Sequence, residues 1–344
     1  MERKLASVQR VIAIHPIEGA DAIEAVQING WQCVTKKGEF SVGALGVYLE
    51  IDAIPPDLPP YQFLWTPKKA PLGSVPRPSK ARIKTMRLRG CLSQGLFMPL
   101  AVAGVPADAL EGADVSELLG VGKYEAPLPS GMGEARAAFP RLVPKTDEIR
   151  VQSLPAVLLE LAGQAYVITQ KYDGTSSTFL IDPDDGTFHA CGRNWSILPG
   201  ENCYWSVAAR YDIEARLRAL EGRYALQGEV CGPGIQKNPL GLAQVSLFLF
   251  NIYDLVAHRH VDDAELRRIA NEIGVPVVAV IEEGERFAHD QASLLALAEG
   301  KYPGTTNERE GIVIRPREDR YSPALGGRLS FKAISNRYLL DEKD

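Results

Sequence analysis

The amino-acid composition of the chain changes near residue 126. From about Ala126 to Pro144 it becomes rich in proline, glycine and alanine, with Pro127, Pro129, Gly131, Gly133, Pro140 and Pro144. This composition is typical of a connection between domains, and 344 residues are enough for two domains with a full core each. We therefore predict a domain over residues 1–125, a linker over 126–150 and a second domain over 151–344.

The first part has the pattern of a small all-β unit. Short apolar or alternating runs separated by turns predict strands, at Val8–Ile14, Ile23–Val26, Gln32–Val34, Ala44–Ile51 and Leu96–Leu100. A proline-rich segment between Pro55 and Pro78 interrupts them, and proline cannot lie inside a sheet.

A basic run between Arg77 and Gly90 has six cations and no acidic residue. Its members include two pairs spaced by two residues, Arg82 with Lys84 and Arg87 with Arg89, and each pair would lie on one face of an extended strand. Such a strand could contact a phosphate backbone, but charged residues also protect edge strands from aggregation. The sequence leaves both interpretations open.

The second part has a mixed pattern. Strands are predicted at 166–171, 176–181, 187–193, 224–230, 245–253, 275–281, 311–315 and 328–332, and helices at about 206–219 and 262–273. Thr146-Asp147-Glu148 is a helix-start signal, and His258 to His260 is interpreted as a solvated loop. The pattern predicts an α+β domain with mostly antiparallel sheet, without a Walker-type P-loop.

Lys171 lies where a predicted strand meets a glycine turn. Asp173 is two residues further on, on the same face if the chain stays extended, and Gly174 follows it. A lysine amine fixed in this way could attack an electrophile once it has lost its proton, which requires burial, neighbouring cations or a metal. The alternative is a solvated lysine beside a turn aspartate.

Composition limits the partners and the compartment. A net charge of -5 and a pI near 5.7 exclude a wholly basic surface, so a nucleic acid would be held by local patches. The five cysteines include no Cys-x-x-Cys pair, which argues against disulfides and a structural zinc site. The N-terminus has no apolar signal-peptide core, and no apolar run reaches the roughly 18 residues of a membrane span. We expect a cytoplasmic protein without a membrane partner.

Two segments of the first domain form a recognisable pattern. Ile14-His15-Pro16 is followed by Asp21-Ala22-Ile23-Glu24. A later motif contains Lys84, Leu88, Gly90, Ser93, Gly95 and Leu96. This resembles the tRNA-binding OB-fold modules of some translation proteins. The resemblance implies an OB-fold β-barrel that binds nucleic acid, and Arg82, Lys84, Arg87 and Arg89 are the expected contacts.

In the second domain, polar and aromatic residues recur at strand ends in a fixed order. After Lys171 come Cys191-Gly-Arg193-Asn194, Gly228-Glu229-Val-Cys-Gly232, Phe248-Leu-Phe250-Asn-Ile-Tyr253, Arg309-Glu310-Gly311 and Leu329-Ser-Phe331-Lys332. The series resembles the motifs of the covalent nucleotidyltransferase superfamily, which includes DNA ligases, RNA ligases and capping enzymes. It implies a nucleotidyltransferase domain of the ATP-grasp-like ligase adenylation type.

The resemblance also implies roles for individual residues. Lys171 would attack the α-phosphate of ATP to form lysyl-AMP. Glu229 and Glu310 would bind Mg²⁺ or Mn²⁺. The nucleotide would contact Gln170, Asp173, Gly174, Arg193, Glu229, Phe250 and Lys332. Each role has an alternative: Arg193 could be a surface ion pair, the two glutamates solvated acids, and Phe250 a core residue.

Departures from the commonest motifs narrow the family. Ser176 stands where DNA ligases usually have arginine, and only Ala333 to Asp344 follow the last motif, too few residues for the second domain of DNA ligases and capping enzymes. Pro144–Gln152 and Gly232–Asn238 are similar to segments of nick-sealing RNA ligases. Ser330 replaces the first of two lysines in the last motif, so phosphate neutralisation would depend on Lys332 alone.

The whole chain thus resembles the bacterial ATP-dependent RNA ligases with an N-terminal OB-fold. This implies an ATP-dependent enzyme, acting as a monomer, that joins 3′-hydroxyl and 5′-phosphate ends of RNA or of an RNA-containing nicked duplex through lysyl-AMP and an AMP-capped 5′ end. The alternatives are an RNA capping guanylyltransferase and a catalytically silent RNA-binding protein.

Overall fold

The computed structural model describes residues 3–65, 81–124 and 132–341. They form two compact units. The first comprises the described residues up to 124 with 152–155 and 339–341, and the second comprises 132–151 and 156–338. Arg77 and Lys80 of the basic run, and residues 126–131 of the predicted linker, lie outside the described residues.

The first unit is built on an antiparallel sheet. Its elements are β1 (Ala6–Pro16), β2 (Ile23–Ile28), β3 (Trp31–Lys36), β4 (Leu45–Leu49), β5 (Ala53–Ile54), a 3₁₀ turn (Pro59–Tyr61), α1 (Gln62–Trp65), β6 (Thr85–Leu88), β7 (Cys91–Gln94), β8 (Leu96–Pro99), α2 (Leu100–Ala103) and β9 (Gly122–Lys123). Five strands pair in the order β3-β2-β1-β4-β8, while β5 pairs with β9 and β6 with β7.

The long first strand, β1, pairs with two neighbouring strands. It is irregular between Val11 and Ala13, and its first half pairs with β4 while its second half pairs with β2. Alternate residues, such as Val8, Val47 and Leu49, fill the core. The all-β prediction for this part of the chain is confirmed.

The second unit has two larger sheets. Its elements are β10 (Ala135–Ala138), β11 (Ile149–Arg150), α3 (Val157–Leu161), β12 (Tyr166–Lys171), β13 (Thr175–Ile181), β14 (Phe188–Cys191), β15 (Trp195–Ile197), α4 (Cys203–Arg210), α5 (Ile213–Ala219), β16 (Tyr224–Cys231), β17 (Ser246–Asp254), β18 (Arg259–His260), α6 (Asp263–Glu272), β19 (Val280–Gly284), α7 (Gln291–Ala298), β20 (Gly311–Pro316), β21 (Tyr321–Ser322), β22 (Gly327–Arg328), β23 (Phe331–Ile334) and α8 (Asn336–Asp341).

These sheets are mostly antiparallel, as predicted. One has the order β10-β15-β14-β13-β16-β17-β18 and the other the order β11-β23-β20-β12-β19, with β11 and β23 parallel. Leu247 and Leu249 of β17 are buried in a core that also contains residues of α4, α5 and α6. Because side chains alternate along a strand, Phe248 and Phe250 lie on the opposite face.

Two helix predictions were wrong. Thr146 to Glu148 do not begin a helix, because their side chains bond to distant partners: Thr146 to Ser176, Asp147 to Arg193 and Glu148 to Arg315. The helix predicted over 206–219 is divided into α4 and α5, and Asp212 between them has a φ of 49°, which a continuous helix does not allow. Within the described residues, no helix is long and apolar enough to cross a membrane.

The prediction for His260 was also wrong, because it lies in β18 and not in a solvated loop. Its ring packs edge-on against Tyr253, with the centroids 5.1 Å apart, and its Nδ1 is buried without a hydrogen-bond partner among the described residues. Burial, together with the charges of Arg328 and Arg315, lowers the pKa of His260 to about 2.

This pKa predicts a pH-dependent stability. Below the unfolded pKa of about 6.5 the unfolded chain binds a proton at His260 that the folded chain excludes, so the free energy of unfolding should fall by about 1.4 kcal/mol per pH unit. Urea unfolding of the wild type and of His260→Gln at about pH 7.5 and about pH 5.5 tests this. The variant should lack that part of the loss, and an equal pH dependence of the two proteins would contradict the prediction.

Candidate active site

Lys171 ends β12 and faces Glu310 across the end of a strand pair. The β12–β20 ladder runs from Tyr166 opposite Pro316 to Lys171 opposite Gly311, so Glu310 comes just before the last pair. Lys171 Nζ donates a hydrogen bond to Glu310 Oε2 at 2.7 Å. The two side chains are only 24% and 17% exposed, so this ion pair is shielded from solvent far more than a surface pair.

Glu229 reaches the same place from the other sheet. It lies opposite Ser176 in the β13–β16 ladder, and its Oε1 accepts a hydrogen bond from the Gly174 amide at 3.2 Å. A Cβ on Gly174 would lie 2.4 Å from the Val230 carbonyl oxygen and 2.6 Å from Cys231 Sγ. Only glycine therefore allows the turn after Lys171 to approach β16 so closely.

The surrounding charges control Lys171. Burial alone would lower the pKa of its amine, but Glu310, Glu229 and Asp173 together raise the pKa above its ordinary value. The pKa of Glu229 is raised to about 8, chiefly by burial and also by the charges of Glu310 and Asp173, against the opposing effect of Lys171. In this state Lys171 is an ammonium ion, which has no lone pair for nucleophilic attack.

Asp173 is held by two tyrosines that the sequence analysis did not identify. Tyr338 donates its hydroxyl to Asp173 Oδ2 at 3.0 Å, and the Asp173 amide donates to the hydroxyl of Tyr302 at 3.0 Å. Tyr302 lies between α7 and β20, and Tyr338 lies in α8. Neither has a local sequence signal, because each meets Asp173 only through the fold.

A cleft opens between the two sheets, against α6, and Lys171 itself does not line it. Thr169, on the same face of β12 as Lys171, and Phe250 of β17 line it, together with Val278, Val280 and Arg315. Lys332 belongs to this face as well, since Thr169 pairs with Val313 and Val313 with Lys332.

The side chain of Gln170 does not line this cleft. It alternates with Thr169 and Lys171 on β12, so it lies on the opposite face of the strand. Gln170 is only 3% exposed, and its Nε2 has no hydrogen-bond partner among the described residues.

Phe248 packs edge-on against Tyr172, with the ring centroids 4.9 Å apart. It therefore lies next to the turn that follows Lys171.

Ser330, which replaces a lysine, joins a buried polar cluster. Its hydroxyl donates to Glu148 Oε1 at 2.7 Å and accepts from Arg315 Nε at 2.9 Å. Arg315 also donates to the Phe250 carbonyl at 2.6 Å and to Glu148 at 3.2 Å. A cation is thus present beside this position, but it is supplied by β20 and its charge is partly balanced by Glu148.

Arg193 is an exposed residue in an ion pair. Its Nη2 lies 2.6 Å from Asp147 Oδ1, and the two side chains are 49% and 58% exposed. This contact matches the alternative that the sequence left open, although exposed pairs are weak enough to be exchanged for a phosphate.

The carboxylates of this site are of the chemical kind that binds divalent cations. In the described part of the chain, no group of three His, Cys, Asp or Glu side chains could hold a metal. Mg²⁺ and Mn²⁺ do not need such a cage, because they bind through one or two carboxylates with water and substrate phosphates. Glu310 and Glu229, both close to Lys171, are carboxylates of this kind.

In the first unit, the basic residues are not equivalent. Arg82 is 12% exposed and its Nη2 lies 2.6 Å from Asp52 Oδ1, while its guanidinium stacks 4.2 Å from the centre of the Tyr124 ring. Arg82 is therefore held in an internal ion pair with Asp52. Lys84 is half-buried, whereas Arg87 and Arg89 are exposed. Arg89 and Gly90 form a two-residue turn with positive φ, of 51° and 79°, between β6 and β7.

Comparison with known proteins agrees with this architecture. A family model described as RNA ligase matches residues 164–334, and one described as an OB-fold domain matches 5–100. Among curated proteins, no sequence matches significantly.

Solved structures of an RNA ligase from Naegleria gruberi resemble the whole chain. A variant with ATP and Mn and another with AMP and Mn are each 36% identical, with a TM-score of 0.87 and coverage of 98% of both chains. The structure with pyrophosphate is 37% identical, with the same TM-score and coverage. The predicted OB-fold and ligase folds are confirmed, and the matches favour an RNA ligase over the capping guanylyltransferase and the silent RNA-binding protein.

The close approach at Gly174 predicts that a larger residue at this position lowers the stability of the fold. The methyl group of Gly174→Ala would collide with the backbone of β16, so the free energy of unfolding should fall by about 1–3 kcal/mol. Urea unfolding measures this. Gly200→Ala is the matched control, because no atom lies within 4 Å of its added Cβ. If both variants had the stability of the wild type, the turn would not need glycine.

Proposed function

The chain belongs to the RNA ligase family, and on that premise we propose that it uses ATP to join RNA 3′-hydroxyl and 5′-phosphate ends through a lysyl-AMP at Lys171. The observation that carries the proposal is the contact of Lys171 Nζ with Glu310 Oε2 at 2.7 Å, with Glu229 and Asp173 near enough to raise the pKa of the amine. A lysine among three carboxylates has no evident structural purpose in a sheet, because burying these charges costs stability.

Lys171 carries out the first step. Its ammonium group loses a proton, for which Glu310 Oε2 is the acceptor in contact. The free amine then attacks the α-phosphorus of ATP, so that a phosphorus–nitrogen bond forms and pyrophosphate leaves. Glu310 and Glu229 would hold a Mg²⁺ or Mn²⁺ ion, which when bound supplies neutralisation of phosphate charge.

Other residues of the second unit would bind the rest of the nucleotide. Phe250 offers an aromatic face for the base. Lys332 is a cation for the α-phosphate, and Arg193 is a planar donor for a ribose or phosphate group. Asp173, oriented by Tyr338, would accept from the ribose or from water. Gln170 contributes through its place in β12 beside Lys171 and not through a side chain in the cleft.

In the two later steps AMP passes to the 5′-phosphate of RNA, and the 3′-hydroxyl then attacks that phosphate and releases AMP. We infer that residues 1–125 grip RNA, that 126–150 link the domains and that 151–344 perform the chemistry. The substrate that we propose is a nicked duplex containing RNA, sealed by a monomer. All five cysteines are free, which supports a reducing, cytoplasmic location.

Labelling with α-labelled ATP tests the nucleophile. Lys171→Ala should form no covalent AMP adduct, because alanine has no amine. It should still seal RNA that already carries a 5′-AMP cap, since the 3′-hydroxyl is the nucleophile in that step. The control is Arg216→Ala, which removes an exposed cation of α5 in the same unit and should label normally. An adduct on Lys171→Ala would refute the assignment.

The exposed arginines of the β6–β7 hairpin provide a test of the first domain. Arg87→Ala with Arg89→Ala should weaken RNA binding and leave adenylylation unchanged. The slope of log K against log salt should become shallower by about 1.8, as expected for two lost phosphate contacts.

The control removes two other exposed cations of the same unit, by Lys4→Ala with Arg10→Ala, so that the change in net charge is equal. If both double variants bind RNA equally well, the hairpin is not a specific contact, and edge protection explains its charges.

A further inference from the structure

Tyr302 is a buried tyrosine with an unusual set of partners. It is 2% exposed, and its hydroxyl contacts three backbone groups. It donates to the Lys171 carbonyl oxygen at 3.1 Å and accepts from the amides of Asp173 at 3.0 Å and Glu310 at 3.2 Å. A phenol has one donor and two acceptor positions, so these three bonds use its full capacity.

The place of this hydroxyl in the sheet explains the three bonds. Lys171 and Gly311 form the last pair of the β12–β20 ladder, and beyond them the two chains separate. If the ladder continued, the backbone groups of Lys171, Asp173 and Glu310 would bond to backbone groups of the facing strand. The Tyr302 hydroxyl takes the position of those missing partners at the point of separation. It therefore connects the segment that carries the nucleophile with the segment that carries Glu310.

The loop from Gly300 to Arg309 is built to hold Tyr302 in place. The Arg309 amide donates to the Gly300 carbonyl at 2.8 Å, and the Tyr302 amide to the Asn307 carbonyl at 3.1 Å. The Arg309 guanidinium bonds to carbonyls at the end of α7, namely Ala298 at 3.1 Å and Glu299 at 2.7 Å. The loop is thus fixed both across its base and to a helix.

The hydroxyl stays protonated in this environment. Burial, aided by the charge of Glu310, raises the pKa of Tyr302 above its ordinary value. The donor bond to the Lys171 carbonyl is therefore kept throughout the pH range in which enzymes work.

We propose that Tyr302 is a positioning residue for lysine adenylylation, which sets the distance between the Lys171 amine and the Glu310 carboxylate by bonding to the backbone of both segments. The proposal rests on the function proposed above. It predicts a selective effect, because Lys171 attacks only in the first step, and a displacement of about 1 Å can cost about 100-fold in rate. Sealing of AMP-capped RNA uses the RNA hydroxyl as nucleophile and should suffer far less.

Tyr302→Phe removes the hydroxyl and keeps the ring that packs against Tyr172. At saturating ATP, its single-turnover rate of AMP-adduct formation should fall by about 100-fold, while the amplitude and the half-saturating ATP concentration stay near the wild-type values. The rate of sealing of AMP-capped RNA should fall less than a tenth as much. A purely structural role would reduce the amplitude in both assays and leave the rate per folded enzyme unchanged, and that result overturns the proposal.

Tyr166→Phe is the matched control. Tyr166 lies at the other end of β12, is equally a buried tyrosine, and donates its hydroxyl to Glu282 Oε1 at 2.5 Å. This variant should keep the wild-type rate of adduct formation, and an equal loss in both variants overturns the proposal. If Tyr302→Phe does not fold, Arg309→Lys, which weakens the anchoring of the loop, is judged by the same criteria.

The two levels of failure are distinguishable. If the wild type forms no AMP adduct, the proposed function fails. If the wild type labels and seals but Tyr302→Phe labels at the same rate, only the role of Tyr302 fails.

Discussion

The ion pair between Lys171 and Glu310 is the contact on which the arrangement of the second unit depends. A buried ammonium group loses its hydration, and a single carboxylate seldom compensates for that loss. Here three carboxylates surround the amine, and they outweigh burial in setting its pKa. Glu310 comes from the residue just before β20, Glu229 from β16 and Asp173 from the turn after β12, so the charge balance holds only when both sheets are in their native register.

That dependence explains why small residues are needed around the lysine. Gly174 lets the turn approach β16, and Gly311 lies opposite Lys171, where a Cβ would be 2.2 Å from the Ala333 carbonyl oxygen. A larger side chain at either position would separate strands whose charged residues have to meet. The glycines in these two motifs thus have a steric reason, which is independent of any contact with a substrate.

Much of this could be predicted from the sequence. Alternation and turns predicted the antiparallel units, and the resemblance to the covalent nucleotidyltransferase superfamily grouped Lys171 with Glu229 and Glu310, which the structure brings together. The motifs that carry this resemblance lie at the ends of regular elements, whose positions depend on local pattern. Side-chain partners do not have this property. Tyr302 and Tyr338 contact Asp173 across 129 and 165 residues of sequence, and Arg82 was expected on the surface although Asp52 binds it.

Ser330 stands where the commonest form of the last motif has a lysine, and its hydroxyl makes hydrogen bonds that a lysine at this position would not make. A second lysine at this position would add a cation to the cleft wall. Instead, the serine hydroxyl joins Glu148 to Arg315, and the neighbouring Arg328 is held by Asp319 at 2.7 Å. Each arginine therefore has a carboxylate partner. On β23 this leaves Lys332 as the cation on the same face as Thr169 and Lys171, so charge stabilisation at the α-phosphate would depend on Lys332, on Arg193 and on a bound ion.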